Sequence, residues 1–330
     1  MGRPAPCRCL VQFSCASRRL AITQSTPVTS KTRILGDWGT SNLRLWLWQD
    51  GAIIDRINGR SLGALAADAP ARLSELIQGW RKEYVIDRMI LCGMAGARGG
   101  LYEADYVSTP ADAAGWSKGS VRTSFEGLPL TIAAGVTTAA DDQRADVMRG
   151  EEAQIFGVMA TAPELASGAH SIILPGTHSK WVSVNDGQIT DLRTFMTGEL
   201  HALLSRSSLF AGAQGDGPAT NEAEGFAEGL TTGKTSPSLT ANLFHARAAQ
   251  LRNGKSGLWA KGYISGLLLA DEVAQMQAQT SLPQRVALVG SPDLCARYSE
   301  ALTLFAVQSF ICDDEACTMA GLELINAHDE

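Results

Sequence analysis

The chain has no apolar run near the ~20 residues that carry a helix across a bilayer, and residues 267–270 are only the apolar part of a helix. It is expected to bind no membrane. It also lacks an excess of basic residues, with 28 Lys+Arg against 34 Asp+Glu and a net charge of −6. Phosphate-backbone affinity needs a basic face, so a general nucleic-acid binder is excluded, whereas a small anionic ligand needs only a few local donors. The seven cysteines form no CxxC pair and sit near no histidine at metal-ligand spacing. That argues against structural zinc and for a reducing compartment, the cytoplasm. No acidic residue precedes Asp37, whereas Arg3, Arg8, Arg18, Arg19, Lys31 and Arg33 do. Such a composition resembles a transit peptide or an over-extended translation start, and residues 1–33 are read as a disordered extension outside the fold.

The full chain of 330 residues is 45% hydrophobic and 19% charged, and its length is one at which two domains are expected. Two stretches look like copies of one device. Residues 34–53 read ILGDWGTSNLRLWLWQDGAI and residues 172–189 read IILPGTHSKWVSVNDGQI. Each has an apolar strand, a Gly-Thr turn, a second apolar strand and an Asp-Gly hairpin turn. A Gly-Thr turn between strands exposes backbone N–H groups and a hydroxyl with no bulky Cβ in the way, which suits a phosphate oxygen. Two such turns facing one another could grip a polyphosphate from both sides, so a nucleotide-dependent phosphotransferase is the leading expectation.

Periodicity places helices over 69–84, 151–161, 198–210, 242–251, 263–277, 294–304 and 316–327. Strands are expected over 85–92, 128–136 and 285–289, with Cys92 embedded in the first of them. Residues 102–127 read as an irregular, turn-rich layer, and the glycines of 225–233 read as breakers. The mixture indicates an α/β fold, with a domain boundary near 141–150.

Gly39, Thr40 and Ser41 form the first candidate phosphate turn, and Gly176, Thr177 and Ser179 belong to the second. Asp37 at the mouth of the first would repel a phosphate unless a divalent cation mediates. It is read as a Mg²⁺ anchor acting through water, or as an Asx turn that shapes the bend. Glu151 and Glu152 open a helix, where acids offset the macrodipole. One of them could instead take the proton from an attacking hydroxyl while the other caps, with Asp146 a further candidate. Gly290 and Ser291 follow a buried strand and precede a helix, the place where an open α/β sheet receives a ligand, here the adenosine. Lys180 could contact phosphate or substrate, or be the solvated face of its hairpin. His178 is read as a turn residue.

Together these residues resemble the sugar-kinase, hexokinase and actin superfamily. GDWGTSNLR resembles its first phosphate motif and LPGTHSKWVSVNDG its second. RGEEAQIFG resembles a segment of glycerol-kinase-like enzymes in which an Asp base stands where this chain has Glu151. GDWGTSN, CGMAGARGG followed by Tyr106, DVMRGEEAQIFG, LPGTHSKWV, TFMTGEL and YISGLLLADE occur in order and resemble the 2-dehydro-3-deoxygalactonokinase family. The resemblance implies two ribonuclease-H-like (actin-like ATPase) domains, 34–145 and 146–330, around a central cleft. It implies phosphorylation, with ATP and Mg²⁺, of the terminal hydroxyl of a 2-keto-3-deoxy sugar acid during galactonate catabolism. Such a substrate needs a cationic clamp for its carboxylate, for which Arg98 is the first candidate, with Arg193 and Lys180 behind it. A kinase for another sugar, a sugar sensor, an actin-like assembly protein and a phosphatase are the competing readings, and a homo-oligomer is left open.

Overall fold

The computed structural model describes residues 31–40, 42–60, 67–139, 144–207, 220–236 and 238–327. The first hairpin and the strands after it form one sheet. Its elements are β1 (Thr32–Trp38), β2 (Asn42–Gln49), β3 (Ala52–Arg60), α1 (Ala69–Glu83), β4 (Ile86–Gly93), β5 (Tyr106–Ser108), α2 (Ala113–Gly119), β6 (Val121–Phe125), β7 (Leu128–Ile132), β8 (Gly135–Thr137) and β9 (Val147–Met148). The strand order is β3-β2-β1-β4-β7-β6, while β5, β8 and β9 make a small sheet of their own. Asp50 and Gly51 both adopt positive φ, as a two-residue hairpin turn requires.

The remainder comprises α3 (Glu151–Thr161), β10 (Ala169–Leu174), β11 (Ser179–Asn185), β12 (Gln188–Phe195), α4 (Thr197–Arg206), α5 (Thr220–Thr235), α6 (Leu239–Asn253), α7 (Gly257–Gln279), β13 (Arg285–Val289), α8 (Pro292–Leu304), β14 (Gln308–Cys312) and α9 (Asp314–Ala327). Its sheet runs β12-β11-β10-β13-β14. In each sheet the first strand pairs antiparallel with the second and parallel with the fourth, so β1-β2-β4 correspond to β10-β11-β13. The duplication expected from the two hairpins is therefore a duplication of topology. This is an α/β fold of two ribonuclease-H-like halves.

Alternation along the strands builds the layers. Ile34 faces a core shared with Leu73 and Ile77 of α1, whereas Leu35 and Trp46 face the opposite side. There they join Ile155 and Phe156 of α3, Leu322 and Ile325 of α9, and Ile172 and Val182 of the second sheet in one apolar cluster. The outer face of the second sheet, Ile173 and Trp181, packs on Val273 of α7 and Leu302 of α8. Helices α3 and α9 thus lie between the sheets. Although α9 ends the chain, ion pairs Arg33–Glu323 (2.6 Å), Arg44–Asp314 (2.6 Å) and Arg56–Glu315 (2.9 Å) tie it to the first sheet.

Several expectations change. Thr32 and Arg33 already belong to β1, so the fold starts before residue 34; residues 1–30 of the expected extension lie outside the described residues, as do 141–143 of the expected boundary. The stretch 102–127 is not irregular, because it holds β5, α2 and β6. The glycines at 225, 229 and 233 do not break the chain but lie within α5. A Cβ on Gly225 or Gly229 would stand 2.1 Å from the carbonyl oxygen of Trp259 or Tyr263. Glycine here lets two helical backbones touch, a long-range role that resembles a breaker when only the local sequence is read.

Candidate active site

Asp37 is the penultimate residue of β1 and pairs across the ladder with Arg44 of β2. Arg44 donates to Asp37 Oδ2 at 2.8 Å and to Asp314 Oδ2 at 2.6 Å, which fixes the orientation of the Asp37 carboxylate. Beside it, the exit of β4 and the start of α3 come together. Gly93 (φ +80°) and Gly150 (φ +109°) are in conformations that side chains rarely adopt, and a Cβ on Gly150 would lie 3.2 Å from Gly93 Cα. Helix α3 therefore begins directly against the strand end that carries Asp37's neighbours.

The two Gly-Thr turns meet at this point. A cleft of about 480 Å³ is lined by Asp37, Gly39 and Thr40 from the first half and by Glu151, Gly176, Thr177 and Lys180 from the second. The first turn is closed by Gly39 N–H donating to the Asn42 carbonyl at 2.8 Å. The second is braced from α4, whose Glu199 N–H donates to the Thr177 carbonyl at 2.9 Å, and whose Glu199 carboxylate bonds His178 Nε2 at 2.7 Å. Ser41 lies outside the described residues.

The three candidate acids separate cleanly. Glu152 is fully buried, and both of its oxygens accept from Gly150 N–H at 2.7 and 2.8 Å. Burial, and then the charge of Glu151, push its pKa up to about 8. It caps the start of α3, and its burial favours the protonated form. Asp146 is bound to β12, accepting from the Thr194 N–H and hydroxyl, both at 2.6 Å. Glu151 alone lines the cleft. Its pKa is raised by burial, against the opposing pull of Lys180 and of the Arg149 N–H, which donates to Glu151 Oε2 at 3.1 Å.

Lys180 is not the solvated face of its hairpin. It is only 5% exposed, and its Nζ donates to the Val147 carbonyl at 3.0 Å and the Thr194 hydroxyl at 2.8 Å. Ser179 does not face the cleft. It is wholly buried, and its hydroxyl donates to Glu272 Oε1 at 2.8 Å, so it supports the turn from beneath. Arg98 is exposed on the loop after β4 and is not part of the cleft wall. Arg193 bonds Gln279 and lines a separate hollow. Neither arginine lines the cleft between the two turns. Gly290 abuts the Pro175 carbonyl, where a Cβ would lie at 3.2 Å, and so sits behind the second turn. With Ser291 it lies outside the cleft wall, although a hollow of about 50 Å³ runs nearby from Gly176 to Leu294 and Arg297.

Two features escape a reading of the sequence. Arg149 and Tyr106 line the cleft, with the guanidinium 4.2 Å from the Tyr106 ring centroid. Glu272 of α7 accepts from Ser179 and from Trp181 Nε1 (2.7 Å) on one oxygen, and from Thr197 and Tyr298 (2.9 Å) on the other. Arg149 had a signal, its place just before Gly150-Glu151. Glu272 had only its place at the end of YISGLLLADE, since its partners come from β11, α4 and α8. Among the described residues there is no group of three His, Cys, Asp or Glu that could hold a metal, and no helix long and apolar enough to cross a membrane.

Comparison with known proteins identifies the family. The family model described as 2-keto-3-deoxy-galactonokinase matches residues 37–325. The 2-dehydro-3-deoxygalactonokinase of Escherichia coli (strain K12) is 34% identical over 298 residues, covering 88% of this chain and 95% of that protein. A crystal structure of a Sinorhizobium meliloti protein ascribed to the same kinase superposes with a TM-score of 0.79 at 32% identity, covering 89% of this chain and 97% of the other. The (R)-2-hydroxyglutaryl-CoA dehydratase component A of Acidaminococcus fermentans shares the fold alone, with a TM-score of 0.52 at 12% identity and coverage of 91% and 100%. With the paired Gly-Thr turns, the cleft acid and a match along nearly the whole described chain, this protein belongs to the 2-keto-3-deoxy-galactonokinase family.

Proposed function

We propose that this chain phosphorylates the terminal (6-) hydroxyl of 2-dehydro-3-deoxygalactonate, using ATP. The observation that carries this reading is the convergence of both Gly-Thr turns, Asp37 and Glu151 on one cleft. Thr40 on one side and Gly176 and Thr177 on the other offer backbone and hydroxyl donors to the phosphates, while Gly39, its own N–H spent on closing the turn, leaves room for them. The adenosine would extend behind the second turn towards Gly290 and Ser291. A single carboxylate beside phosphates suits Mg²⁺, which is usually held by one or two carboxylates together with phosphate and water. Asp37 Oδ2 is taken by Arg44, whereas Oδ1 accepts only a long contact from the Cys92 thiol (3.8 Å), the weaker commitment and the one an ion could replace. When bound, the ion would neutralise phosphate charge.

Glu151 is then the base that orients the acceptor hydroxyl and takes its proton at a carboxylate oxygen. Lys180 lies close enough to favour the charged carboxylate, and the raised pKa of Glu152 weakens the like charge beside Glu151. In a loose phosphoryl-transfer transition state, positioning and charge neutralisation matter more than base strength. The two halves, parting near residue 145, are expected to close on the ligands and exclude water. Soluble nucleotide and sugar acid fit a cytoplasmic setting. A coupled ADP-release assay across 2-keto-3-deoxy sugar acids and plain hexoses tests the reading. Sugar-acid-dependent ADP release is expected, and ADP release with no sugar requirement, or with hexoses only, would overturn it.

A further inference from the structure

We propose that Arg149 is the specificity-determining residue that selects an anionic substrate by supplying the counter-charge for its carboxylate; this rests on the sugar-acid kinase reading above. Arg149 directly follows the short strand β9 and stands two residues before Glu151. One segment therefore carries both the base for the reacting hydroxyl and a cation in the same cleft.

The guanidinium is held but not neutralised. Its flat face lies on Tyr106, one amine donates to the Ala104 carbonyl at 2.7 Å, and Nε reaches the Tyr106 hydroxyl at 3.4 Å. The remaining amine, Nη1, is buried with no hydrogen-bond partner. It rests where a Cβ on Gly96 would lie 2.8 Å away, so the glycine-rich exit of β4 is shaped around it. Its hydrogen-bond and ring partners are neutral, and the acid whose charge it feels, Glu152, is buried and takes its hydrogen bonds from Gly150 rather than from the guanidinium. A buried donor left unpaired is costly, and a fixed guanidinium without a carboxylate partner favours an incoming anion.

The other basic side chains near the cleft are committed elsewhere. Two donors of Lys180 are taken by Val147 and Thr194 and its charge faces Glu151, while His178 is bound to Glu199. A carboxylate entering beside Arg149 supplies the missing charge. A neutral sugar of the same shape does not.

The test uses the full chain, wild type and Arg149→Gln, with 2-dehydro-3-deoxygalactonate and with its C1 primary amide, and with ADP binding followed by calorimetry. Arg149→Gln is expected to raise the sugar-acid KM about 10- to 100-fold, the loss of one charge-assisted contact. The ATP KM and ADP affinity should stay within about twofold. Wild type should prefer the acid to the amide, and the variant should treat them alike. Arg149→Lys keeps the charge and should retain part of that preference, which keeps the claim testable if Arg149→Gln does not fold. An unchanged acid-to-amide ratio in Arg149→Gln, or an ATP KM rising in parallel, would overturn the clamp while leaving the kinase reading intact. A wild type inactive on every sugar acid would instead overturn the kinase reading.

Discussion

The Ser179 hydroxyl donates to Glu272 Oε1 at 2.8 Å, joining the first residue of β11 to the middle of the long helix α7. Through the same carboxylate, Thr197 at the start of α4 and Tyr298 of α8 are fixed to the second Gly-Thr turn. Burial raises the Glu272 pKa while its four donors pull the other way. Glu272→Gln places an amide N–H₂ against groups that are all donating, leaving at least one buried donor poorly paired. The expected result is a loss of about 1–3 kcal/mol of stability in denaturant unfolding. If the turn holds phosphate, the ATP KM should rise with the sugar-acid KM unchanged.

Glu151 and Glu152 are adjacent in sequence but differ in setting, one on the cleft wall and the other buried as a cap. Removing a general base typically costs about 10²- to 10⁴-fold in rate. Glu151→Gln should therefore lower kcat by about that factor while ADP affinity, measured by calorimetry, stays near wild type. Wild-type turnover in Glu151→Gln would end its role as base. Glu152→Gln keeps a neutral side chain of the same shape and should lower kcat far less.

Stability should carry the signature of Glu152. Its pKa stands at about 8 in the fold against an ordinary value of 4.5. Between those values the folded chain holds a proton that the unfolded chain has released, so raising pH favours unfolding. The stabilisation is fully present below about pH 4.5 and is lost as pH rises through about 8. Melting curves of wild type and Glu152→Gln across that window should converge at the acid end. The wild type should fall progressively below the variant towards pH 8, and parallel curves would show that Glu152 is already ionised.

The hairpins were legible because their signals are local. Asp50-Gly51 and Asp186-Gly187 fix turns with both residues at positive φ, and alternating apolar residues set the faces. Glu126-Gly127 makes the same turn with a less familiar pair, so the stretch around it reads as irregular from sequence alone. Helix α3 was legible to the residue, since Gly150 and two acids mark its start. Burial across the fold was not legible. Ser179 follows the turn as a phosphate ligand would, yet its hydroxyl is aimed inward by a helix some ninety residues along the chain. Lys180 alternates with Trp181 as a surface lysine would, but β9 and β12 close over it. Arg98 has the right charge near the right strand, and only the path of the loop after β4 turns it outward.

Glu151 is positioned by the helix it starts, and that helix is seated by backbone contact. A Cβ on Gly157 of α3 would stand 1.7 Å from the Cys317 carbonyl oxygen, and one on Gly321 of α9 would stand 1.9 Å from the Ala153 carbonyl oxygen. Neither neighbour is a flexible side-chain end, so the helices must move apart to admit a methyl group. Overpacking of this kind costs about 1–3 kcal/mol or more. Gly157→Ala should therefore lower the denaturant midpoint, and because α3 is displaced from α9 it should also lower kcat. Gly79→Ala in α1 is the control, since a Cβ there meets nothing within 4 Å. In an exposed helix interior alanine is favoured over glycine by about 1 kcal/mol, so Gly79→Ala should raise the midpoint and leave kcat unchanged. Equal effects at the two sites would show that the change reports helix propensity rather than the contact between α3 and α9.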